Sequence, residues 1–396
     1  MLFERVCSER VRSQSERSES ERSESVRLDN VRSERRRSEH RRAVLKGAAA
    51  WGSAALLPAW AQPAGRSEVS DDLGRRVALS LPLRRVVIFN RYTTEFVRGI
   101  GAMDAVVGVD IDASRHRAYW PTVTPAMLAG TSGTSLNYEA IVGMQPDAVL
   151  MPRNSDWQRA EKLLAGFGIP VVVVTAWDYL KHEFNVELLG RLFGQPVRAR
   201  ALNDYYRGWR QRLDQRMAGV VRKRVYFEEV GDWRSVLKGS GWHDMIEAGG
   251  GHNVFGDVAL GDLSQSAASS PRGSVNNFSV DPEEVLARRP DVIIKLQPGQ
   301  YEPHPREFSR EVLERVARRP GFAALPGVQA GHVHHISYYL AGGCSKITGA
   351  LQVAKWLHPQ RMAGLDPDQA MDEWLTRFQG VAGQRGYAVS LSGLRA

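Results

Sequence analysis

The chain has 396 residues, 43% of them hydrophobic, and a formal net charge of +9, so it is long enough for two or three domains with a substantial core. Residues 1–61 hold 13 Lys and Arg against 9 Asp and Glu, which leaves 40 against 35 for the rest of the chain. So small and dispersed an excess is typical of a solvated surface, and we expect no nucleic-acid partner.

Residues 1–40 are rich in Ser, Glu and Arg and contain few large apolar side chains. Such a segment cannot bury enough apolar surface to offset the entropy of the chain, so its composition predicts a disordered, low-complexity extension. Glutamate is interleaved with nearly every arginine, which argues against a tail that binds nucleic acid. We expect this block to be an over-extended start of the sequence.

Residues 41–61 have the layout of an export signal. Arg41 and Arg42 precede Val-Leu-Lys, a stretch of small apolar residues follows, and Ala-Trp-Ala ends the segment at Ala61. This order resembles a twin-arginine signal, and the apolar stretch is shorter than the roughly 20 residues of a transmembrane helix. We therefore expect cleavage after Ala61 and a periplasmic protein.

The two cysteines fit the same expectation. Cys7 lies before the predicted cleavage point and Cys344 lies after it. The mature chain would then have no intrachain disulfide, and without a cysteine at the cleavage point it would have no lipid anchor there. We expect a monomer without a membrane anchor.

From residue 84 onwards, continuous apolar runs alternate with segments of helical periodicity. Runs rich in β-branched residues are typical of strands buried on both faces, and their alternation with helices predicts an α/β fold with mostly parallel sheets. The predicted strands are RRVVIFN (84–90), AVVGVD (105–110), DAVLMP (147–152), IPVVVVTAWD (169–178), KRVYFEEV (223–230), DVIIKL (291–296) and HVHHIS (332–337).

These strands fall into two groups. We expect residues 70–178 to form an N-terminal α/β lobe and residues 221–396 to form a C-terminal α/β lobe with terminal helices. In such folds ligands bind outside the carboxyl ends of the strands. Two lobes with facing strand ends therefore predict a ligand cleft between them.

The segment between the lobes, residues 179–220, has an apolar stripe at helical spacing. Leu202, Tyr206, Trp209 and Leu213 form this stripe, with no proline and few glycines around them. The pattern predicts one long, rigid helix that joins the lobes. A helix inside one continuous domain would show the same periodicity, so the spacing alone leaves both arrangements open.

One sequence frame occurs in both lobes. NYEAIVGMQPDAVL (137–150) and DPEEVLARRPDVII (281–294) each contain a glutamate, a proline seven residues later, and an aspartate that leads into an apolar run. The glutamates are Glu139 and Glu283. Two matches in register indicate equivalent structural units in the two lobes.

The order of these motifs resembles a known family. The export signal, NYEAIVGMQPDAVL, the connecting helix, GSGWHDMIEAGGGHNVFGD, DPEEVLARRPDVIIK and AKWLHPQ together resemble the periplasmic substrate-binding proteins of ABC importers for ferric siderophores, haem and vitamin B12. The resemblance covers about residues 70–380. It implies two lobes bridged by a rigid helix, a ligand held in the cleft with modest closure, and no resident cofactor.

The resemblance also implies a role for the repeated glutamates. In the family, one surface glutamate on each lobe docks onto arginines of the membrane permease, and Glu139 and Glu283 occupy those positions. Arginine and carboxylate can pair in a bidentate, directional way. Both acids would also be favourable in the first turn of a helix because of the helix dipole, and the two roles are compatible.

Candidate ligand-binding residues lie in the loops that follow the predicted strands. Arginines can pair with anionic chelating oxygens, while Trp and Tyr supply flat apolar walls and hydroxyl donors. Any one Trp or Tyr can equally be a packing residue. The candidates are Arg91, Tyr92, Arg153, Trp157, Trp177, Trp233, Arg234, Trp242, Tyr301 and Tyr338.

Their arginines favour an anionic ferric siderophore complex as the ligand. A corrinoid such as vitamin B12, haem, or chelated nickel or cobalt are the alternatives. His332 and His334 have spacing that could suit a metal, but we expect them to be strand residues and expect metal to enter only inside its chelator.

A periplasmic enzyme is the rival of a different class. Ser240, His243 and Asp244 lie close together in sequence, but catalytic triads assemble across a fold, and the frame of a nucleophile elbow is absent. No phosphate loop or dinucleotide fingerprint occurs either. We therefore expect a binding protein with no catalytic residues.

Overall fold

The structure is a computed structural model that describes residues 66–258, 278–297 and 301–395. The predicted extension (1–40) and export signal (41–61) lie outside these ranges. Within them, no helix has the length and apolar character needed to cross a membrane.

The strands of the described residues are short, as expected for buried strands of an α/β fold. In chain order they are β1 Ser67–Ser70, β2 Arg76–Leu79, β3 Val86–Ile88, β4 Val106–Asp110, β5 Leu128–Ser132, β6 Ser135–Leu136, β7 Ala148–Met151, β8 Val171–Val173, β9 Lys223–Glu228, β10 Arg234–Ser235, β11 Gly251–Asn253, β12 Phe278–Ser279, β13 Val292–Gln297, β14 Val333–Ser337 and β15 Ala388–Ser390.

The α-helices of the same ranges alternate with these strands. They are α1 Arg91–Gly99, α2 Ile111–Arg115, α3 Tyr138–Met144, α4 Trp157–Leu164, α5 His182–Leu192, α6 Pro196–Met217, α7 Gly241–Ala248, α8 Pro282–Arg288, α9 Arg306–Ala317, α10 Pro326–Gln329, α11 Tyr338–Gly342, α12 Ile347–Leu357, α13 Pro367–Glu373 and α14 Leu391–Arg395.

The first lobe contains one sheet with the strand order β6-β5-β4-β3-β7-β8. All neighbouring pairs are parallel except β5 and β6. Every residue of β3, β7 and β8 is buried, which confirms the expectation that these apolar runs are covered on both faces. A hairpin of β1 and β2 precedes this sheet.

The second lobe contains a sheet with the order β12-β10-β9-β13-β14-β15, and β11 also pairs with β9. The pairs among β11, β9, β13 and β14 are parallel, while β10, β12 and β15 join antiparallel at the edges. The two-lobed α/β fold with mostly parallel sheets is therefore confirmed.

Two helices, α5 and α6, lie between the last strand of the first sheet and the first strand of the second, where one long helix was expected over residues 179–220. Helix α6 has 22 residues, begins with proline in its first turn, and spans roughly 33 Å at 1.5 Å per residue. The four residues of its predicted apolar stripe are all buried, which confirms the stripe.

The repeated sequence frame forms the same structure in each lobe. Helices α3 and α8 both end at a left-handed residue, with φ of 48° at Gln145 and 45° at Arg289. In the first lobe the Asp147 carboxylate accepts the backbone N–H of Arg84 and Arg85 at 2.7 and 2.9 Å. The proline and aspartate thus fix β7 beside β3.

The second lobe repeats this arrangement at Asp291. Its carboxylate accepts the backbone N–H of Arg224 at 2.9 Å, and its own N–H donates to the carbonyl of Arg224 at 2.8 Å. Strand β13 is thereby aligned with β9, in the same way as β7 with β3. The matching contacts explain why both frames have aspartate after proline.

An aromatic cluster joins the lobes beside the cleft. Tyr119 and Trp120 of the first lobe pack against Tyr301 of the second, Tyr119 also packs against Tyr339, and Tyr387 packs behind Tyr339. The rings of Tyr119 and Tyr301 stack with centroids 3.7 Å apart. Tyr301, a predicted ligand-binding residue, is thus buried in the contact between lobes.

Candidate functional site

A cavity of about 460 Å³ lies between the lobes, outside the carboxyl ends of the parallel strands. In the first lobe its lining comes from residues at or after the ends of β3, β4, β5, β7 and β8. In the second lobe it comes from residues after β9 and β14, from the start of α7, and from Lys346. This is the place where α/β sheets bind ligands, because loops converge there and the strands leave room between them. The volume falls within the range of sites for small-molecule ligands.

Five of the ten predicted ligand-binding residues line this cavity. Those five residues are Arg91, Tyr92, Trp177, Trp242 and Tyr338. The first two are placed by Asn90, whose side chain accepts the N–H of Tyr92 and Thr93 and so starts α1 at the strand end.

Arg91 lies beside two tyrosine rings and contacts both. Its guanidinium carbon is 5.0 Å from the ring centre of Tyr92 and 4.7 Å from that of Tyr338, and the two rings are parallel within 8°. Cation–π contact holds the charge, and no carboxylate of the described residues forms an ion pair with it. Burial raises the pKa of Tyr92, so its hydroxyl stays protonated.

Another part of the wall combines two tryptophans with Lys346, which the sequence did not single out. The Lys346 Nζ lies 5.0 Å from the ring centre of Trp177 and 4.3 Å from that of Trp242. Burial lowers the pKa of this ammonium to about 7. The site therefore contains a second cation whose charge changes near neutral pH.

A group of polar residues after β4 also lines the cavity and was missed. They are Asp110, Asp112, Arg115 and His116. Burial, and next the charge of Asp112, raise the pKa of Asp110 to about 7, while burial and the charge of Arg91 lower the pKa of His116. They lie at or just after the end of AVVGVD, so the rule that was applied to the other strand ends would have found them.

Arg153 and Trp157 lie outside the cavity lining. The Arg153 guanidinium forms an ion pair with Asp178 and packs 4.6 Å from the ring centre of Trp177, so its charge is already compensated. The ring of Trp157 is covered by Arg75 at 4.2 Å. Both side chains pack within the first lobe, and Arg153 contacts the cavity only through the ring of Trp177.

Trp233 and Arg234 also lie outside the lining. Trp233 has a positive φ of 59°, packs against Phe322, and has Arg319 4.2 Å from its ring centre. Arg234 begins the edge strand β10 and donates to Ser279 Oγ at 3.5 Å. The chain reverses after β9, which the sequence did not indicate, and both side chains contact residues of the second lobe.

A buried ion-pair network holds that reversal in place. Lys295 on β13 donates to Glu228 at 2.7 Å, to Asp232 at 3.0 Å, and to the carbonyl of Val230 at 3.2 Å. Arg319 donates to both carboxylate oxygens of Glu228, at 2.6 and 2.9 Å. Because Val230 lines the cavity, the network supports one edge of the site.

The residues considered for metal or catalysis have structural contacts. His334 stacks on Trp356 with ring centres 4.4 Å apart and shares a hydrogen bond of 2.8 Å with Ser390. Ser240 accepts the backbone N–H of His243 at 3.2 Å and thereby caps α7. No group of three or more metal-ligating side chains occurs in the part of the chain that the structure describes.

The repeated glutamates lie on the surface. Glu139 and Glu283 are exposed, and each is in the first turn of its helix, α3 or α8. Both are therefore accessible to a partner protein.

Residues 86–339 match the model of a protein family described as periplasmic binding protein. A cobalamin-binding protein of Halobacterium salinarum is 28% identical over 234 residues, which is 55% of this chain and 55% of that protein. A vitamin B12-binding protein of Salmonella typhimurium is 30% identical over 165 residues, which is 40% of this chain and 54% of that protein. The chain thus spans about half the length of these curated relatives.

Solved structures share the fold at lower identity. The TroA-like periplasmic binding protein FepB from Veillonella parvula matches with a TM-score of 0.65 and 20% identity over 82% of this chain and 99% of that one. Molybdate-bound MolA of Haemophilus influenzae matches with a TM-score of 0.64 and 19% identity over 80% of this chain and 99% of that one. At such identities the likeness shows the fold alone.

Proposed function

Because the chain belongs to the periplasmic binding protein family, a family of solute-binding proteins and not of enzymes, we propose that it captures an anionic ferric siderophore complex in the cleft between its lobes. It delivers this ligand to the permease of an ABC importer in the inner membrane. The protein needs no resident cofactor, since the metal arrives inside its chelator.

The observation that supports this ligand is the placement of Arg91. Its charge lines the cavity beside two parallel tyrosine rings, and no described carboxylate forms an ion pair with it. Anionic oxygens of a chelate could accept its hydrogen bonds, and such charge-assisted bonds are stronger than neutral ones. The flat walls formed by Trp177 and Trp242 suit the aromatic rings of a catecholate.

A corrinoid is the second candidate. It is favoured by the vitamin B12-binding and cobalamin-binding relatives, and by the aromatic walls. A corrinoid is larger than the ligands that a 460 Å³ cavity encloses, so part of it would protrude from the cleft. The charge of Arg91 also has less to pair with in a ligand that is rich in amides.

Titration of the purified protein with four probes separates these candidates. Quenching of tryptophan fluorescence is followed with ferric enterobactin (anionic), ferrichrome (uncharged), haem and cyanocobalamin. We expect ferric enterobactin to bind most tightly. Tightest binding of cyanocobalamin would replace the first candidate by the second.

Arg91→Gln tests the supporting observation directly. Losing one charge-assisted hydrogen bond weakens binding of ferric enterobactin by about tenfold to a hundredfold. The matched control is Arg159→Gln, because Arg159 is an exposed residue of α4 outside the cavity lining. Equal affinity in the two variants would show that Arg91 does not contact the ligand.

Docking to the permease is proposed to use Glu139 and Glu283. Two exposed carboxylates in equivalent positions, one on each lobe, can pair with two arginine sites and so fix the orientation of the complex. Export by the twin-arginine-type signal, with cleavage after Ala61, and a monomeric state complete the proposal.

A further inference from the structure

Three consecutive residues with side chains adopt left-handed backbone conformations just before α12. Their φ angles are 42° at Cys344, 51° at Ser345 and 69° at Lys346. Each is unfavourable for a residue with a Cβ atom, and such conformations concentrate at functional sites. The turn therefore needs compensating contacts.

The contacts are made with the other lobe. Ser345 Oγ donates to the carbonyl of Ala176 at 2.7 Å, and Lys346 Nζ donates to the carbonyl of Trp177 at 3.0 Å. Two adjacent side chains of the second lobe thus bind two adjacent carbonyls of the loop after β8. The left-handed turn is what presents both side chains to the first lobe.

Lys346 retains hydrogen-bonding capacity toward the cavity. An ammonium has three N–H groups, and one is used within the described residues, by the carbonyl of Trp177. The side chain is buried, lines the cavity, and forms no ion pair with a described carboxylate. Gly241 leaves the room that it occupies, since a Cβ atom there would lie 2.6 Å from the Lys346 Cε.

We infer that Lys346 is a ligand-contacting residue which, together with Arg91, forms a two-cation site for the anionic oxygens of a chelate. This inference rests on the proposed function and adds a residue that determines specificity for charge. The turn at residues 344–346 places one of the two cations.

Binding of an anion is then coupled to uptake of a proton. Burial lowers the pKa of Lys346 to about 7, the carboxylates of Asp178 and Asp244 oppose this, and the charges of Arg153 and Arg91 reinforce it. An anion beside the amine stabilises its charged form, so affinity falls as the pH rises above 7. Because the pKa of Asp110 is also about 7, a Lys346 variant is needed to assign the effect.

The test compares wild type, Lys346→Met and Lys346→Gln with the exposed control Lys162→Met. Ferric enterobactin and ferrichrome serve as the anionic and the uncharged probe. Calorimetric titration at pH 7.5, in two buffers that differ in ionisation enthalpy, gives both affinity and proton uptake. The glutamine variant keeps a donor for the Trp177 carbonyl and so controls for loss of packing.

Both Lys346 variants should weaken ferric enterobactin by about tenfold to a hundredfold, leave ferrichrome within about threefold, and reduce proton uptake. Equal losses of affinity for both probes, or no loss for ferric enterobactin, would overturn the inference about Lys346 and leave the proposed function standing. Failure of the wild type to bind either probe would overturn the proposed function and the inference with it.

Discussion

The phenolic oxygens of Tyr119 and Tyr339 lie 2.6 Å apart, so a hydrogen bond links the first lobe directly to the second. Tyr119 also donates to Gln379 Oε1 at 3.2 Å. A hydroxyl has one proton, which makes Tyr339 the donor to Tyr119. Burial raises the pKa of both tyrosines, so both protons stay in place.

Tyr339→Phe should therefore destabilise the protein. The change removes a buried donor and leaves the oxygen of Tyr119 without it, at a cost of about 1–3 kcal/mol in the free energy of unfolding. Urea denaturation measures this cost. The control is Tyr138→Phe at a half-buried position, with an expected effect within about 0.5 kcal/mol; equal effects would contradict the role of the inter-lobe bond.

Gly342→Ala should weaken ligand binding. A Cβ atom at position 342 would lie 2.0 Å from the Tyr92 hydroxyl oxygen, so the Tyr92 ring would have to move and Arg91 would lose one of its two rings. Overpacking of this kind costs about 1–3 kcal/mol. We expect ferric enterobactin to bind roughly tenfold more weakly in a fluorescence titration.

Gly143→Ala in α3 is the matched control, because a Cβ atom there meets nothing within 4 Å. It should raise the free energy of unfolding by about 0.5–1 kcal/mol and leave ligand affinity as it is. Unchanged affinity in Gly342→Ala would show that the close approach of Tyr92 to Gly342 has no part in the site.

The double variant Glu139→Ala, Glu283→Ala should abolish uptake and leave ligand affinity intact. Both carboxylates are exposed and outside the cavity lining, so their loss affects only a partner that binds the surface. Transport is measured with radioactive iron in cells, and affinity by fluorescence. Glu68→Ala with Glu311→Ala, also exposed, is the control; full transport by the first pair would refute docking through these residues.

Glu228→Gln should destabilise the second lobe at neutral pH. Burial opposes ionisation of Glu228, but its hydrogen bond with Arg319 and the charge of Lys295 outweigh burial and hold its pKa below the usual value. Removing one partner of a buried network costs about 3–5 kcal/mol. Urea denaturation at pH 7 measures this loss. The control is Glu284→Gln, which breaks the surface ion pair with Arg288 and should lower the free energy of unfolding by no more than about 1 kcal/mol.

The same substitution should change how the free energy of unfolding depends on pH in the acid range. A depressed pKa in the folded state means that the contribution of Glu228 is fully present above the pKa of the unfolded chain, about 4.3, and is lost as the pH falls through the folded value. The gap between wild type and Glu228→Gln should therefore narrow below about pH 4.5. A constant gap down to pH 3 would argue against this ionisation as the source of stability.

The sequence predicted the strands that are buried on both faces. The frames around Pro146 and Pro290 were also recognisable as a repeat, because local rules of helix ends and strand starts act there. The hairpin of β5 and β6 was missed. Its strands contain Gly, Thr and Ser, whose strand formation depends on pairing with neighbours and not on an apolar run.

The sequence predicted which loops hold the site, but it did not predict which side chains in those loops face the cavity. Arg153 follows a strand just as Arg91 follows one, yet it is paired with Asp178, 25 positions further along the chain. Lys346 was missed because a left-handed turn of three residues with side chains has no sequence pattern. Which cation faces the cleft is decided by tertiary contacts.

Within each repeated frame, the aspartate and the glutamate are under different constraints. The aspartates serve folding, since they align β7 with β3 and β13 with β9. Glu139 and Glu283 stand eight positions earlier in each frame and do not align strands. If Glu139 and Glu283 dock the permease as proposed, a descendant of this protein that lost its transporter would keep proline and aspartate in both lobes, while its two glutamates would be free to change.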